Sequence, residues 1–193
     1  MKSALAAILI VILVIVFVAP TILKVGAITT IYILADGTVS PPTPLIQQDG
    51  NLYTFASDIN RSIIVQKSGI PIDGNNYMLL GNHSSGDLSN GLTIDGVGNV
   101  TIKNITIRNY YCGIFLGSNA YNTIQNSCLI MNFYGIKLNS TSAYNTIKGN
   151  TLDHNTWAVW IDYNSNNNDI KANNFTRENG VCVEIQRSTG NMV

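Results

Sequence analysis

Charge is scarce in this chain. Of 193 residues only 11% are charged, and 11 basic against 11 acidic residues leave no net charge. An ordinary soluble domain carries about a quarter. Nucleic-acid partners are held through clustered Lys and Arg, and no run or patch of like charge exists here, so that class is excluded. Cysteine is also rare, at Cys112, Cys128 and Cys182. Hydrophobic residues reach 46%, yet much of that share sits in one terminal run. What is abundant is Asn, which recurs through the second half.

The N-terminus reads as an export segment. Met1-Lys2 supplies a positive charge, Ala4 to Ala19 is unbroken apolar sequence, and Pro20 to Leu23 precede Lys24. Charge, apolar stretch and small residues in that order make a secretory signal, with Val25-Gly26-Ala27 as a cleavage site. Ala4 to Leu23 is also long enough, at about 1.5 Å per helical residue, to cross roughly 30 Å of hydrocarbon. Residues 1–27 are therefore a signal peptide or a hydrophobic membrane-anchoring helix. The anchor is favoured because the run is long and the cleavage site weak. Either way the remainder lies outside the cytoplasm. Six N-x-S/T triplets, at Asn60, Asn82, Asn99, Asn104, Asn139 and Asn174, are candidate glycosylation sites in an exported chain.

A repeat organises the rest. AYNTI at 120–124 returns at 143–147. From Ile124, steps of 23 reach Ile147, Ile170 and Val193, and Ile102 lies 22 before. Five residues after these anchors stand Ile107, Leu129, Leu152 and Phe175. A third apolar set follows at Ile114/Leu116, Ile136/Leu138, Val159/Ile161 and Val183/Ile185. Each repeat thus holds three short segments of alternating burial, the period-2 pattern of strands. Such a unit encloses no core alone, but stacked copies do, each strand pairing in parallel with its equivalent one turn away. A leucine-rich repeat has a similar period but needs an L-x-x-L-x-L pattern and a helical segment, both missing. The fold expected is all-β, a right-handed parallel β-helix of about five coils.

Two files of Asn support the stack. Asn122, Asn145, Asn168 and Asn191 precede the anchors, and Asn109, Asn132, Asn155 and Asn179 precede the third strand. Asn accepts left-handed turns, and its amide can bond a copy about 4.8 Å away, so both files read as structural ladders. Upstream, SGIPIDGNNYMLLG and GLTIDG continue the strands around an insertion near 82–90. LIQQDGNLYTF reads as a hairpin turning at Asp49-Gly50, and SPPTPL as a rigid connector. Residues 28–62 are expected to cap the solenoid and 63–193 to form its repeats.

IDGNNYMLLG, NVTIKNITIRNYYCGIFL and the NTI–GI repeats resemble right-handed parallel β-helix proteins, in particular the NosD-like group of secreted and surface proteins. The resemblance spans about residues 45–193. It implies the fold; for activity it implies several things, from copper-associated periplasmic proteins to carbohydrate-binding and sugar-cleaving modules. The G-H-G motif of polygalacturonase-like members is missing, and no two acids of the repeats share a file as a calcium-dependent lyase would need.

With Val159, Ile161, Val183 and Ile185 inward, their neighbours face out. Phe115, Lys137, Trp160 and Glu184 then form one outward file, a candidate ligand-binding site with Asp162. Asp162 and Glu184 are expected as diagonal neighbours roughly 8 Å apart from strand spacing and rise, a separation that paired glycosidase carboxylates use. The bland reading is a solvated face, so no residue is assigned a catalytic role. Tyr111, Tyr134 and Trp157 form a second aromatic file. Arg108, Met131, His154 and Arg177 form another, in which two soft donors between two cations make a poor copper site, so no metal or cofactor is expected.

By coil spacing Cys112 and Cys182 lie about 14 Å apart, beyond the roughly 7 Å that a disulfide spans. Three free, mostly buried thiols are expected. The chain stops at Asn191-Met192-Val193, opening a coil without a blunting device; a fragment, end-to-end self-association through that edge and docking to a partner all remain open. The function expected is an exported, non-catalytic surface module that binds a polysaccharide or surface protein, or serves as a structural unit. The alternative is a polysaccharide lyase or hydrolase on the same fold.

Overall fold

The computed structural model of the chain describes residues 30–82, 88–176 and 178–193. The expected terminal helix at 1–27 lies outside them, and no helix occurs among them.

The chain winds as a right-handed parallel β-helix with three walls. Wall A stacks Thr30–Ile33, Ser62–Val65, Asn90–Asp95, Cys112–Gly117, Tyr134–Asn139, Trp157–Ile161 and Val181–Ile185. Wall B stacks Leu52–Phe55, Pro71–Asp73, Thr101–Lys103, Thr123–Gln125, Thr146–Lys148 and Asp169–Lys171. Wall C holds Met78–Leu80, Thr106–Arg108, Cys128–Ile130, Thr151–Asp153 and Asn174–Phe175. This makes about six turns rather than five, because Thr30–Ile33 pairs in parallel with Ser62–Val65 and opens wall A. Val39–Ser40 runs antiparallel over that first edge. Ile46–Asp49 and Leu52–Phe55 form the hairpin, turning at Gly50 with φ 57°.

Alternation along each strand sends apolar side chains inward, where parallel register stacks them. On wall B, Tyr53, Ile72, Ile102, Ile124, Ile147 and Ile170 form one file. Each is at most 2% exposed. Wall C contributes Leu79, Ile107, Leu129, Leu152 and Phe175. Burying one such side chain is worth about 1.5–3 kcal/mol.

Four corner files satisfy the polar groups where the chain turns. Asn122, Asn145, Asn168 and Asn191 are joined Nδ2 to Oδ1 at 3.0 Å per step. Each acceptor Oδ1 also takes the backbone N–H of the Asn one coil earlier, at 2.8–2.9 Å. Asn132, Asn155 and Asn179 repeat this pattern. Asn109 is not among them. The coil there is 22 residues long, so Tyr110 holds the rung and gives its N–H to Asn132 Oδ1. Asn109 is instead a left-handed corner residue with φ 61°. Asn150 and Asn173 form a third ladder that receives the N–H of Ser127, and Ser142, Ser165 and Ser188 a hydroxyl version. Room for the second ladder is made by Gly113, where a Cβ would lie 2.7 Å from the Gly135 carbonyl and 3.1 Å from Asn132 Nδ2.

Candidate functional site

Wall A carries the most distinctive outer surface. Parallel register places Tyr32, Ile64, Thr93, Phe115, Lys137, Trp160 and Glu184 in a single outward file. Its last four members are the residues singled out from spacing. All are half-buried; the neighbours of Phe115, Lys137 and Trp160 are fully covered, whereas Glu184, in the last coil, stands between half-buried Val183 and exposed Ile185.

Beside this file the aromatic residues gather. Tyr134 stacks on Trp157 at 5.3 Å, and Trp160 meets both rings edge-on at 5.4–5.7 Å. Tyr111 does not lie over Tyr134 in the register, as a uniform step of 23 would put it. It stacks on Phe133 at 5.1 Å, again because that coil has 22 residues, and Cys112 faces Tyr134. Phe133 packs against Tyr134 and Trp157 at 4.9 and 5.0 Å. Phe133 was not legible as part of this group, although it stands 22 residues after Tyr111. Offset and edge-on ring pairs of this kind contribute about 0.5–1.5 kcal/mol each beyond area burial. The result is a continuous aromatic cluster in which Tyr134 is buried among the half-buried rings of Tyr111, Phe133, Trp157 and Trp160.

Polar groups edge it. The Lys137 ammonium lies 4.5 Å from the Tyr134 ring centroid, a cation–π contact. Glu184 accepts from Trp157 Nε1 at 2.7 Å and from Gln186 Nε2 at 2.6 Å. Burial, with Tyr111 beside it, pushes the Tyr134 phenol up to about 12. The surface therefore offers flat apolar faces next to one fixed cation, one fixed carboxylate and an amide.

Asp162 is not part of that surface. It is 3% exposed, not outward as the alternation suggests, because Arg187 from the last coil covers it. Arg187 grips it through Nε at 2.9 Å and Nη2 at 2.5 Å, while its guanidinium lies 3.7 Å from the Tyr163 ring. Those hydrogen bonds hold the Asp162 carboxyl below its usual range. Asp162 and Glu184 thus have separate partners and do not face each other as a general acid and base. Among the described residues no three His, Cys, Asp or Glu side chains gather as a metal site would require.

The remaining candidates are dispersed. Asn60, Asn82, Asn99 and Asn174 are exposed, whereas Asn104 and Asn139 are half-buried. The three thiols are free, but Cys182 is exposed rather than buried; burial at Cys112 pushes its thiol up to about 12.

Residues 50–193 match the family described as periplasmic copper-binding protein (NosD). No curated protein and no solved structure matches the chain. Copper finds a poor donor set here. Met131 and His154 line one small cleft, but Arg108 donates Nη2 to Met131 Sδ at 3.5 Å, placing a cation at the soft donor. His154 Nδ1 is paired with Asp153 at 2.9 Å. Arg108 itself lies in the file of Ile130 and Asp153, one position from Met131, and Arg177 is outside the described residues. Cys112 is sealed in the wall, and among the described residues no group of three His, Cys, Asp or Glu side chains includes His154. These residues do not fit a copper centre. The match covers well over half of the chain and falls on the stacked coils themselves, so the chain belongs to the NosD family.

Proposed function

We propose that this protein is an exported β-helix module that binds glycan chains on the outer face of wall A. The coarser part has direct support, since the family's description is periplasmic and the solenoid is an all-β surface scaffold. The single observation that carries the finer part is the cluster of half-buried Tyr111, Phe133, Trp157 and Trp160 packed round buried Tyr134 and bordered by Lys137 and Glu184. Sugar rings present flat C–H faces that pack on aromatic rings, while charged and amide groups at the margin bond hydroxyls. The rings brace one another, so little order is lost on binding. The cleavage alternative draws no support from the acids, because Asp162 is tied to Arg187 and Glu184 to Trp157 and Gln186.

The test is electrophoretic retardation in gels containing neutral or acidic polysaccharides. Trp160→Ala, which removes a half-exposed ring outside the core, is expected to weaken binding roughly tenfold, equivalent to about 1.4 kcal/mol, with an unchanged far-ultraviolet spectrum. Equal retention of variant and parent across the panel would remove the aromatic face as the binding site.

A further inference from the structure

The corner between walls A and B carries a second group of rings, distinct from the face above. Asn99, Tyr121, Tyr144, Asn167 and Gly190 share one left-handed corner position, with φ of 57°, 61°, 55°, 57° and 69°. Asn and Gly accept that backbone readily; Tyr does not. Tyr121 and Tyr144 are nonetheless 61% and 52% exposed, stacked on each other at 5.4 Å and 11°. Their burial therefore does not account for them. Tyr121 and Asn99, which holds the same corner position one coil earlier, line one cleft of about 410 Å³.

We propose that Asn99 is an N-glycosylation site and that its first sugar lies on the ring of Tyr121. The triplet Asn99-Val100-Thr101 presents itself correctly: Val100 is buried, while Asn99 is exposed and Thr101 half-exposed at the start of a wall B strand. Asn99 forms no side-chain hydrogen bond among the described residues, so its amide is available. Four of the other triplets differ, and that of Asn82 runs beyond the described residues. Asn104 donates its amide to Asp73 Oδ1 at 3.1 Å. Asn139 Oδ1 accepts from Ser140, and the Thr176 hydroxyl of the Asn174 triplet is bonded to Asp153. Asn60 is open, but the ring in its cleft, Tyr110, is 2% exposed.

The chemistry is a glycosyl transfer from a lipid-phosphate-linked sugar donor, with its transferase supplied by the exporting cell. Asn99 Nδ2 bonds the anomeric carbon, the anomeric C–O bond to the lipid phosphate breaks, that phosphate leaves with the electron pair, and one amide proton is released. No redox change occurs. Attachment is independent of the wall A reading.

Glycopeptide mass spectrometry on the full chain, recovered from cells that naturally export it, is the test. A sugar mass on the Asn99 peptide is expected, lost in both Thr101→Ala and Asn99→Asp, with Asn104, Asn139 and Asn174 bare. A bare Asn99 overturns the site. The ring contact is read separately by melting: enzymatic glycan removal is expected to lower Tm by about 2–4 °C in the parent and by nothing in Tyr121→Ala. Equal shifts in both overturn the contact.

Discussion

At the scale of single residues, Asp162 and Arg187 best show how the chain is closed. Between Ile161 and Ser165 three residues make the corner, including left-handed Tyr163 and Asn164; one coil later only two do, with Arg187 as the left-handed residue. That shortening aims the guanidinium back at the coil before. The folded Asp162 carboxyl is held down chiefly by hydrogen bonds from Arg187. A depressed carboxyl contributes stability that is complete above its unfolded value, near 3.8, and is lost as pH falls through the lower folded value. Asp162→Asn is therefore expected to lower Tm at neutral pH, with the gap to the parent closing under acid conditions below about pH 3.8. Melting across pH checks this, and a gap that persists unchanged into acid would contradict it. The sequence showed Asp162 as an outward acid beside Glu184. Alternation along a strand fixes which way a side chain leaves the backbone, but not what folds over it.

At the scale of elements, the corner ladders connect adjacent coils through side chains. Asn145, 1% exposed, accepts from both the backbone N–H and the Nδ2 of Asn122 and donates onward to Asn168. Asn145→Ala strands two buried donors, each costing about 1–3 kcal/mol. A loss of about 2–6 kcal/mol is expected in denaturant titration, whereas a loss below about 1 kcal/mol would mean that water replaces the ladder. Most of this ladder was legible, because 23-residue spacing recurs without interruption from Asn122 to Asn191. The second was legible only from Asn132 onward. A coil of 22 residues moves every earlier position by one, replacing Asn109 with Tyr110 and setting Tyr111 over Phe133. The third ladder, through Asn150 and Asn173, carried the same 23-residue signal.

At the scale of the whole molecule, each coil touches only its neighbours, so a defect stays local. Ile147 is fully buried between Ile124 and Ile170. Ile147→Ala is expected to cost about 2–5 kcal/mol. Hydrogen exchange should quicken first at Ile124 and Ile170, while Ile31 and Ile63 at the far end keep their protection. Uniform loss along the stack would instead indicate one cooperative unit.

The sequence by itself determined the solenoid, its three walls and its inward files. Parallel stacking makes residues one coil apart into vertical neighbours, and that relation survives whatever the loops do. The tertiary structure alone decided which outward side chains meet. Whether Trp160 joins a ring cluster or Asp162 disappears under Arg187 depends on one-residue differences in coil length and on the reach of flexible side chains. A period averaged over repeats cannot carry either quantity, since a single-residue offset moves a surface contact to a different partner.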